Sequence, residues 1–464
     1  MPSLTTAQTK YSDKEVVFQE KKVLLIWSFT TWLVVMNTTM FNVALPTIVS
    51  EFALSSSTAS WIVSGYSIAF AISTLTFSRL SDFIPISRLL LIGILILGVS
   101  SIVGFFSSHF YLLLVSRIFQ AIGAGAVPGL GLVLVRRYIP IFRRGKAMAF
   151  IVSSASLAFG LGPVIGGIIT QYLGWKYLFA VTGITLLFIP LFMKLLPNEK
   201  VQKGQFDVWG AILTAFSVTV VLLSISSFSL VVLAMTVVVV PTLWIYLHKV
   251  QEPFIQPKIL KDKQFLKLLF IGFATFVTNF STMFLMPVIL TLVHHKSPLE
   301  IGLIIFPGAA IGVIAAQFSG RLIDRLGNLS FIVIGQIFLC VGTLLFALLS
   351  TISPYFIILT YLFISIGFSV VNTSISNEVA SLLPLKDIGS GAGLSQMMQF
   401  FGGSFGVTVS GLLLALQTGM PTDLVYRNIF IFILVILLIS IAAYYYYYRQ
   451  VKSIRQLTNH SQTL

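Results

Sequence analysis

Fourteen stretches of mostly apolar residues recur along the chain, at approximately 23–45, 59–79, 88–107, 109–134, 147–172, 175–196, 207–226, 229–248, 266–290, 300–320, 330–350, 354–377, 391–416 and 427–448. A hydrocarbon layer about 30 Å thick is crossed by about 20 helical residues. Within that layer a backbone must satisfy its own polar groups, which leaves the helix as the solution for segments of this length. The expected fold is therefore an all-α polytopic membrane protein with fourteen transmembrane helices. Charged residues make up only 9% of the chain and the mean hydropathy is +0.98, whereas a soluble domain has about 25% charged residues. An ordinary soluble enzyme is excluded. The single cysteine, Cys340, sits in an apolar run, so no disulfide framework or cysteine-based metal site is expected. Residues 1–22 are polar and lack the short apolar core of a cleavable signal peptide.

The basic excess is large, with 29 Lys and Arg against 14 Asp and Glu. On a soluble protein it would suggest a nucleic-acid partner. Its distribution points elsewhere. With fourteen crossings, 25 of the basic residues fall on the side of both termini, three (Lys176, Lys296 and Arg427) fall on the other, and Arg117 lies within a span. That asymmetry predicts a plasma-membrane protein with both termini cytoplasmic and no nucleic-acid role. The run Tyr444–Tyr448 followed by Arg449 reads as an interfacial aromatic belt with a snorkelling end.

An internal repeat divides the chain. Ser78-Arg79-Leu80-Ser81-Asp82 follows the second span and Gly320-Arg321-Leu322-Ile323-Asp324 follows the tenth, with the two aspartates 242 residues apart. At nearly the same offset, Asn37-Thr38-Thr39-Met40-Phe41 before Pro46 is echoed by Asn279-Phe280-Ser281-Thr282-Met283-Phe284 before Pro287. Two matches at one offset and one topological place argue for duplicated halves, a transporter architecture. The expected organisation is a tail (1–22), a six-helix bundle (23–200), a two-helix insert with flanking loops (201–263), a second six-helix bundle (264–448) and a tail (449–464).

Several residues carry candidate chemistry. Asp82 with Arg88, repeated as Asp324 with Arg321 and Arg325, can tie helix ends together as a conformational latch; a loop that merely sets topology is the competing reading. Arg117 is the lone intramembrane charge and must face protein or water, with Gln120 one turn away. A functional or coupling role competes there with a structural hydrogen-bond hub. Gly162-Pro163 and Gly166-Gly167 thin and bend the fifth span, as suits a helix between moving halves. Asn37, Thr38, Asn42, Gln120, Asn279, Gln396 and Gln399 are the candidate pathway residues. His294-His295 have no acidic or cysteine companion, so no metal site is expected. No phosphate-binding glycine loop or nucleophile elbow occurs, so neither a cofactor nor an ATPase subunit is implied.

These motifs resemble the major facilitator superfamily, specifically its fourteen-helix drug:proton antiporter branch, with the Gram-positive tetracycline and multidrug exporters nearest. The resemblance rests on Asn37–Pro46, Ser78–Arg88, Arg117–Pro128, Gly162–Gly167 and Gly320–Gly327. It implies export by alternating access, with Arg117 assisting proton relay and Asp82 latching a closed state. Those exporters carry acids on the first and fifth helices, where this chain has Thr38 and Phe159; Ala149, Ala158 and Pro85 also replace glycines of the pattern. None of the fourteen acids falls near mid-membrane in the expected topology.

A buried carboxylate is the usual means of holding a cation in low dielectric, so a neutral or anionic substrate fits better than a cationic one. Any proton coupling must use Glu378 or Asp82. The leading expectation is proton-coupled efflux of amphipathic drugs or metabolites, with small molecules, membrane lipid and protons as the partners. The alternatives are an uncoupled facilitator or exporter of neutral, anionic or lipid-like compounds, and a non-transporting sensor or scaffold.

Overall fold

The computed structural model describes residues 19–196, 199, 206–227, 229–383 and 388–462. Among the described residues it is all-α, with fourteen helices long and apolar enough to cross a membrane. These are α1 Glu20–Glu51, α2 Ser56–Leu80, α3 Ile86–Phe105, α4 Phe110–Tyr138, α5 Ile141–Tyr172, α6 Tyr177–Leu195 and α7 Val208–Ser227. The remainder are α8 Leu230–Lys249, α9 Lys263–Leu292, α10 Pro298–Leu326, α11 Asn328–Leu349, α12 Pro354–Leu382, α13 Ile388–Leu416 and α14 Thr422–Gln462. Each expected apolar stretch coincides with one helix, and Ser229 separates α7 from α8 as the sequence suggested.

Local chemistry sets the ends. Ser55 caps α2 by accepting from the Thr58 amide at 3.1 Å, and Asp262 caps α9 through the Gln264 and Phe265 amides. Inside the helices, hydroxyls return to their own backbone: Thr275, Thr278 and Thr282 each donate to the carbonyl four residues back, at 2.8, 2.9 and 2.8 Å. These threonines therefore enter the apolar layer already satisfied. Two helices depart from regularity. α4 breaks at Gly125, whose backbone lies so near α2 that a Cβ there would stand 2.8 Å from the Thr74 nitrogen. α6 passes through a 3₁₀ turn at Ile184–Phe188.

Most loops rich in Lys and Arg lie on one face, here called the basic face, where α1 begins and α14 ends. For reference, α1–α6 are called the first half and α9–α14 the second, after the repeat in the sequence. The halves meet where α5 packs on α10, α2 on α13, and α1 on α9. α7 lies against both α2 and α13, and α8 packs on α7, leaving most of the α8 side chains exposed. That apolar surface is what hydrocarbon solvates without cost.

Candidate functional site

Arg117 is the centre of the first half. Its side chain is fully buried, a placement that costs about 2.5–3.5 kcal/mol for a guanidinium at the centre of a membrane helix. Four helices offset that cost. The guanidinium Nη1 donates to Asn37 Oδ1 of α1 and to Gln120 Oε1 of α4, both at 2.9 Å. Gln120 Nε2 in turn donates to Ser101 Oγ of α3 at 2.8 Å. The guanidinium carbon lies 3.9 Å from the Phe41 ring centre and 4.0 Å from that of Tyr66 on α2. Cation–π contact out of water is worth about 2 kcal/mol or more, so two rings hold the charge where no carboxylate does. Among the described residues no Asp or Glu pairs with Arg117, and its Nε has no partner. The sequence singled out Arg117, Asn37 and Gln120, which the structure joins; it did not single out Phe41, Tyr66 or Ser101.

The other pathway candidates divide. Thr38 Oγ1 donates to the carbonyl of Val35 at 2.6 Å and so is spent on its own helix. Asn42 is buried, with Oδ1 lacking a partner among the described residues. In the second half Asn279 is buried on α9. Gln399 is buried against Gly272 of α9, which makes it a packing residue of the α9–α13 contact. Gln396, half-buried, shares a helix face with Phe400.

Glu378 sits elsewhere. It is buried where α11, α12 and α14 meet. Tyr447 donates its hydroxyl to Oε1 at 2.6 Å and Asn328 donates Nδ2 to Oε2 at 3.0 Å. The aromatic-belt reading of Tyr444–Tyr448 therefore needs correction. Tyr445, Tyr446 and Tyr448 are exposed, but Tyr444 and Tyr447 turn inward, and Tyr444 donates to the Leu329 carbonyl at 2.6 Å. Residues three apart on a helix share a face, and this face meets α11 and Glu378.

The loop latch also changes partner. Asp82 pairs with Arg137 at the end of α4, at 3.3 Å, and not with Arg88, which is exposed in the first turn of α3. Arg137 also donates to the Ser81 carbonyl at 2.8 Å and to Glu199 at 3.2 Å. Glu199 accepts from the Ile86 amide at 2.6 Å and from the Tyr138 hydroxyl. One arginine thus gathers the end of α2, the start of α3 and the chain beyond α6. Asp324 and Arg325 of the second copy lie on the helical end of α10, with side chains outside the described residues.

The glycine-proline segment of α5 lies between two helices. A Cβ on Gly162 would stand 1.8 Å from Thr39 Oγ1, and one on Gly166 would stand 2.8 Å from the Met40 Cα, both on α1. On the other side, a Cβ on Gly167 would stand 2.4 Å from the Pro298 carbonyl oxygen, and one on Gly302 of α10 would stand 2.4 Å from the carbonyl oxygen of Pro163. Glycine here permits backbone-to-backbone contact between the halves, on the face opposite the basic one.

The sequence model of the Major Facilitator Superfamily matches residues 27–407, and again 268–462. The chain belongs to that superfamily. This member is similar to the riboflavin transporter RibZ of Clostridioides difficile (strain 630), 27% identical over 405 residues that cover 85% of this chain and 86% of that protein. It is also similar to the uncharacterized MFS-type transporter YwoD of Bacillus subtilis (strain 168), 27% identical over 397 residues, covering 82% and 86%. Among solved structures, a bacterial homologue of the human lysosomal transporter Spinster, inward-facing and occupied, superposes with a TM-score of 0.66 at 13% identity, covering 94% of this chain and 98% of that one. A POT family transporter in complex with a thioalcohol-conjugated peptide gives 0.70 at 14% identity, covering 91% and 96%. This superfamily member is a multi-pass membrane transporter and not an enzyme.

Proposed function

We propose that the protein exports neutral or anionic amphipathic small molecules across the plasma membrane by alternating access between bundles 23–200 and 264–448, with the basic face and both termini in the cytoplasm. The observation that carries the substrate class is Arg117: a desolvated guanidinium held by two rings and two amides, with no carboxylate pairing it among the described residues. A cationic substrate brought near it would meet uncompensated like charge in low dielectric. RibZ, named as a riboflavin transporter, suggests riboflavin as the first compound to try.

Coupling to protons is part of the proposal, with Glu378 as the carrier. It is buried, and both its oxygens accept from neutral donors, so protonation would rearrange the α11–α12–α14 junction. Arg137 with Asp82 and Glu199 would latch the first half on the basic face. The absence of any acid beside Arg117 among the described residues favours a second reading, an uncoupled facilitator.

Proteoliposomes loaded against a compound panel, with and without a pH gradient, separate the two. Gradient-driven accumulation that Glu378→Gln abolishes supports coupling through Glu378. Accumulation that survives in that variant moves the proton site to Asp82. Transport by the unsubstituted protein that ignores the gradient establishes the facilitator. No transport of any compound would leave the sensor or scaffold reading.

A further inference from the structure

The geometry points to a binding platform of phenylalanine rings at mid-membrane, centred on Phe400, that takes the flat face of an uncharged fused heteroaromatic substrate. This deepens the transporter reading and rests on it. Phe400, midway along α13, lies 5.2 Å from Phe70 of α2 in the first half, and 5.6 and 5.9 Å from Phe276 and Phe280 of α9 in the second. Phe276 also meets Phe368 of α12 at 5.1 Å. The rings therefore come from both halves and touch across their boundary.

The helix geometry decides which way this cluster faces. At 3.6 residues per turn, the faces of α13 can be read from its neighbours. Ser404, Thr408 and Gly411 meet α2, whereas Gln399, Gly402 and Gly406 meet α9. Gln396, Phe400 and Gly403 lie on the arc between those two contacts, turned to the junction of the halves. Phe280, Phe368, Phe400 and Gln396 are only half-buried there, although the three rings lie midway along their helices and the adjoining Phe70 and Phe276 rings are buried. Rings packed purely for stability would be closed over.

The chemistry of the occupant follows from what the platform offers and lacks. Phe276 and Phe280 lie nearly parallel at 23°, but Phe400 meets Phe70, Phe276 and Phe280 at interplanar angles of 59° to 84°, so none of these rings stacks face to face on Phe400 and its half-buried ring keeps a π surface for stacking. None of the five phenylalanines carries charge, and the half-buried Gln396 carboxamide both donates and accepts, which matches a heteroaromatic edge bearing carbonyl and N–H groups. On the first-half side the stack continues from Phe70 to Tyr66, with ring centres 6.1 Å apart, and Tyr66 lies against Arg117.

Equilibrium dialysis of the detergent-purified protein against riboflavin, as a planar probe, and cholate, as a non-planar amphiphile, tests the platform. Phe400→Leu keeps bulk and removes the ring; Phe400→Trp keeps a π face. Stacking on one aromatic side chain is worth about 1–3 kcal/mol, so Phe400→Leu should weaken riboflavin binding by roughly 5- to 150-fold. Phe400→Trp should hold it within about 3-fold, and cholate should respond equally little to either change. Riboflavin binding unchanged in Phe400→Leu, equal weakening of both probes, or no riboflavin binding by the unsubstituted protein would each overturn the platform. Binding at equilibrium needs neither turnover nor a gradient, so these outcomes are separate from failure of the export or coupling readings.

Discussion

Adding one methyl group at Gly167 should bias which face of the transporter is closed. The new Cβ would stand 2.4 Å from the Pro298 carbonyl oxygen and 3.1 Å from the Leu299 Cα, where ordinary contact begins near 3.4 Å. Both obstacles are backbone, so relief requires α5 and α10 to part by roughly 1 Å at a point where the halves now touch. Overpacking of this kind costs about 1–3 kcal/mol. Because the strain exists only while the two helices are in contact, it should move the equilibrium away from that closed state by about 5- to 150-fold. Gly302→Ala meets the Pro163 carbonyl oxygen at the same 2.4 Å and should act alike, with the double variant little worse than either single one because both are relieved by one separation. Gly160→Ala is the internal control, since its Cβ would have 3.9 Å to the nearest α10 atom. The assay places a cysteine at Ala310, half-buried on α10, in a Cys340→Ser background and follows labelling by a membrane-impermeant maleimide applied from the side opposite the basic face. Faster labelling and slower transport are expected for Gly167→Ala and Gly302→Ala alone. Equal labelling in all three alanine variants would refute the reasoning, because the closed interface would then not depend on backbone contact at Gly167.

Three other perturbations have definite outcomes. Arg117→Ala should abolish transport with the protein still inserted, and Arg117→Lys should not rescue it, because an ammonium has no flat face to lie between Phe41 and Tyr66; recovery in the lysine variant, measured as initial uptake rate, would reduce the site to a bare charge. Asp82→Asn should slow turnover far more than it weakens substrate binding, and Arg137→Gln should slow it at least as much, since it removes the Asp82 pair and the Glu199 pair together; the double variant should match Arg137→Gln alone, and additive losses would separate the two residues. Tyr447→Phe strips a buried carboxylate of one donor, a loss of about 1–3 kcal/mol, and should lower the unfolding midpoint in detergent, whereas Tyr446→Phe on the exposed side should leave it unchanged.

Hydrocarbon imposes one length and one backbone solution, which is why all fourteen helices could be placed from apolar runs alone. A lone arginine in such a run was conspicuous for the same reason. Its ring partners were not, because the chain has 40 phenylalanines and 15 tyrosines, and nothing local marks Phe41 or Tyr66 as the two that enclose a charge. Proximity in sequence misled at Asp82: Arg88 is six residues away, while Arg137 reaches it only because α4 returns to the same face. The tyrosine run shows the same limit at finer scale. Five identical residues carry no internal signal of register, and only the position of α11 and Glu378 tells which two point inward.

The placement of α7 gives the molecule unequal flanks. α2 and α13 are already bonded across the halves, with Ser64 and Ser404 each donating to the other's carbonyl at 3.2 Å and Thr408 donating to Ser64 at 3.0 Å, and α7 then lies against both helices. Among the described residues, neither α7 nor α8 lies against the α5–α10 contact in this way, where the third helix touching both is α1 of the first half. A compound dissolved in the bilayer would on this hypothesis find one doorway and one wall, entering from the lipid beside α5 and α10 and never beside α7. A photoactivatable lipophilic substrate analogue should mark α5 and α10, and equal marking of α2 and α13 would show that the wall is porous.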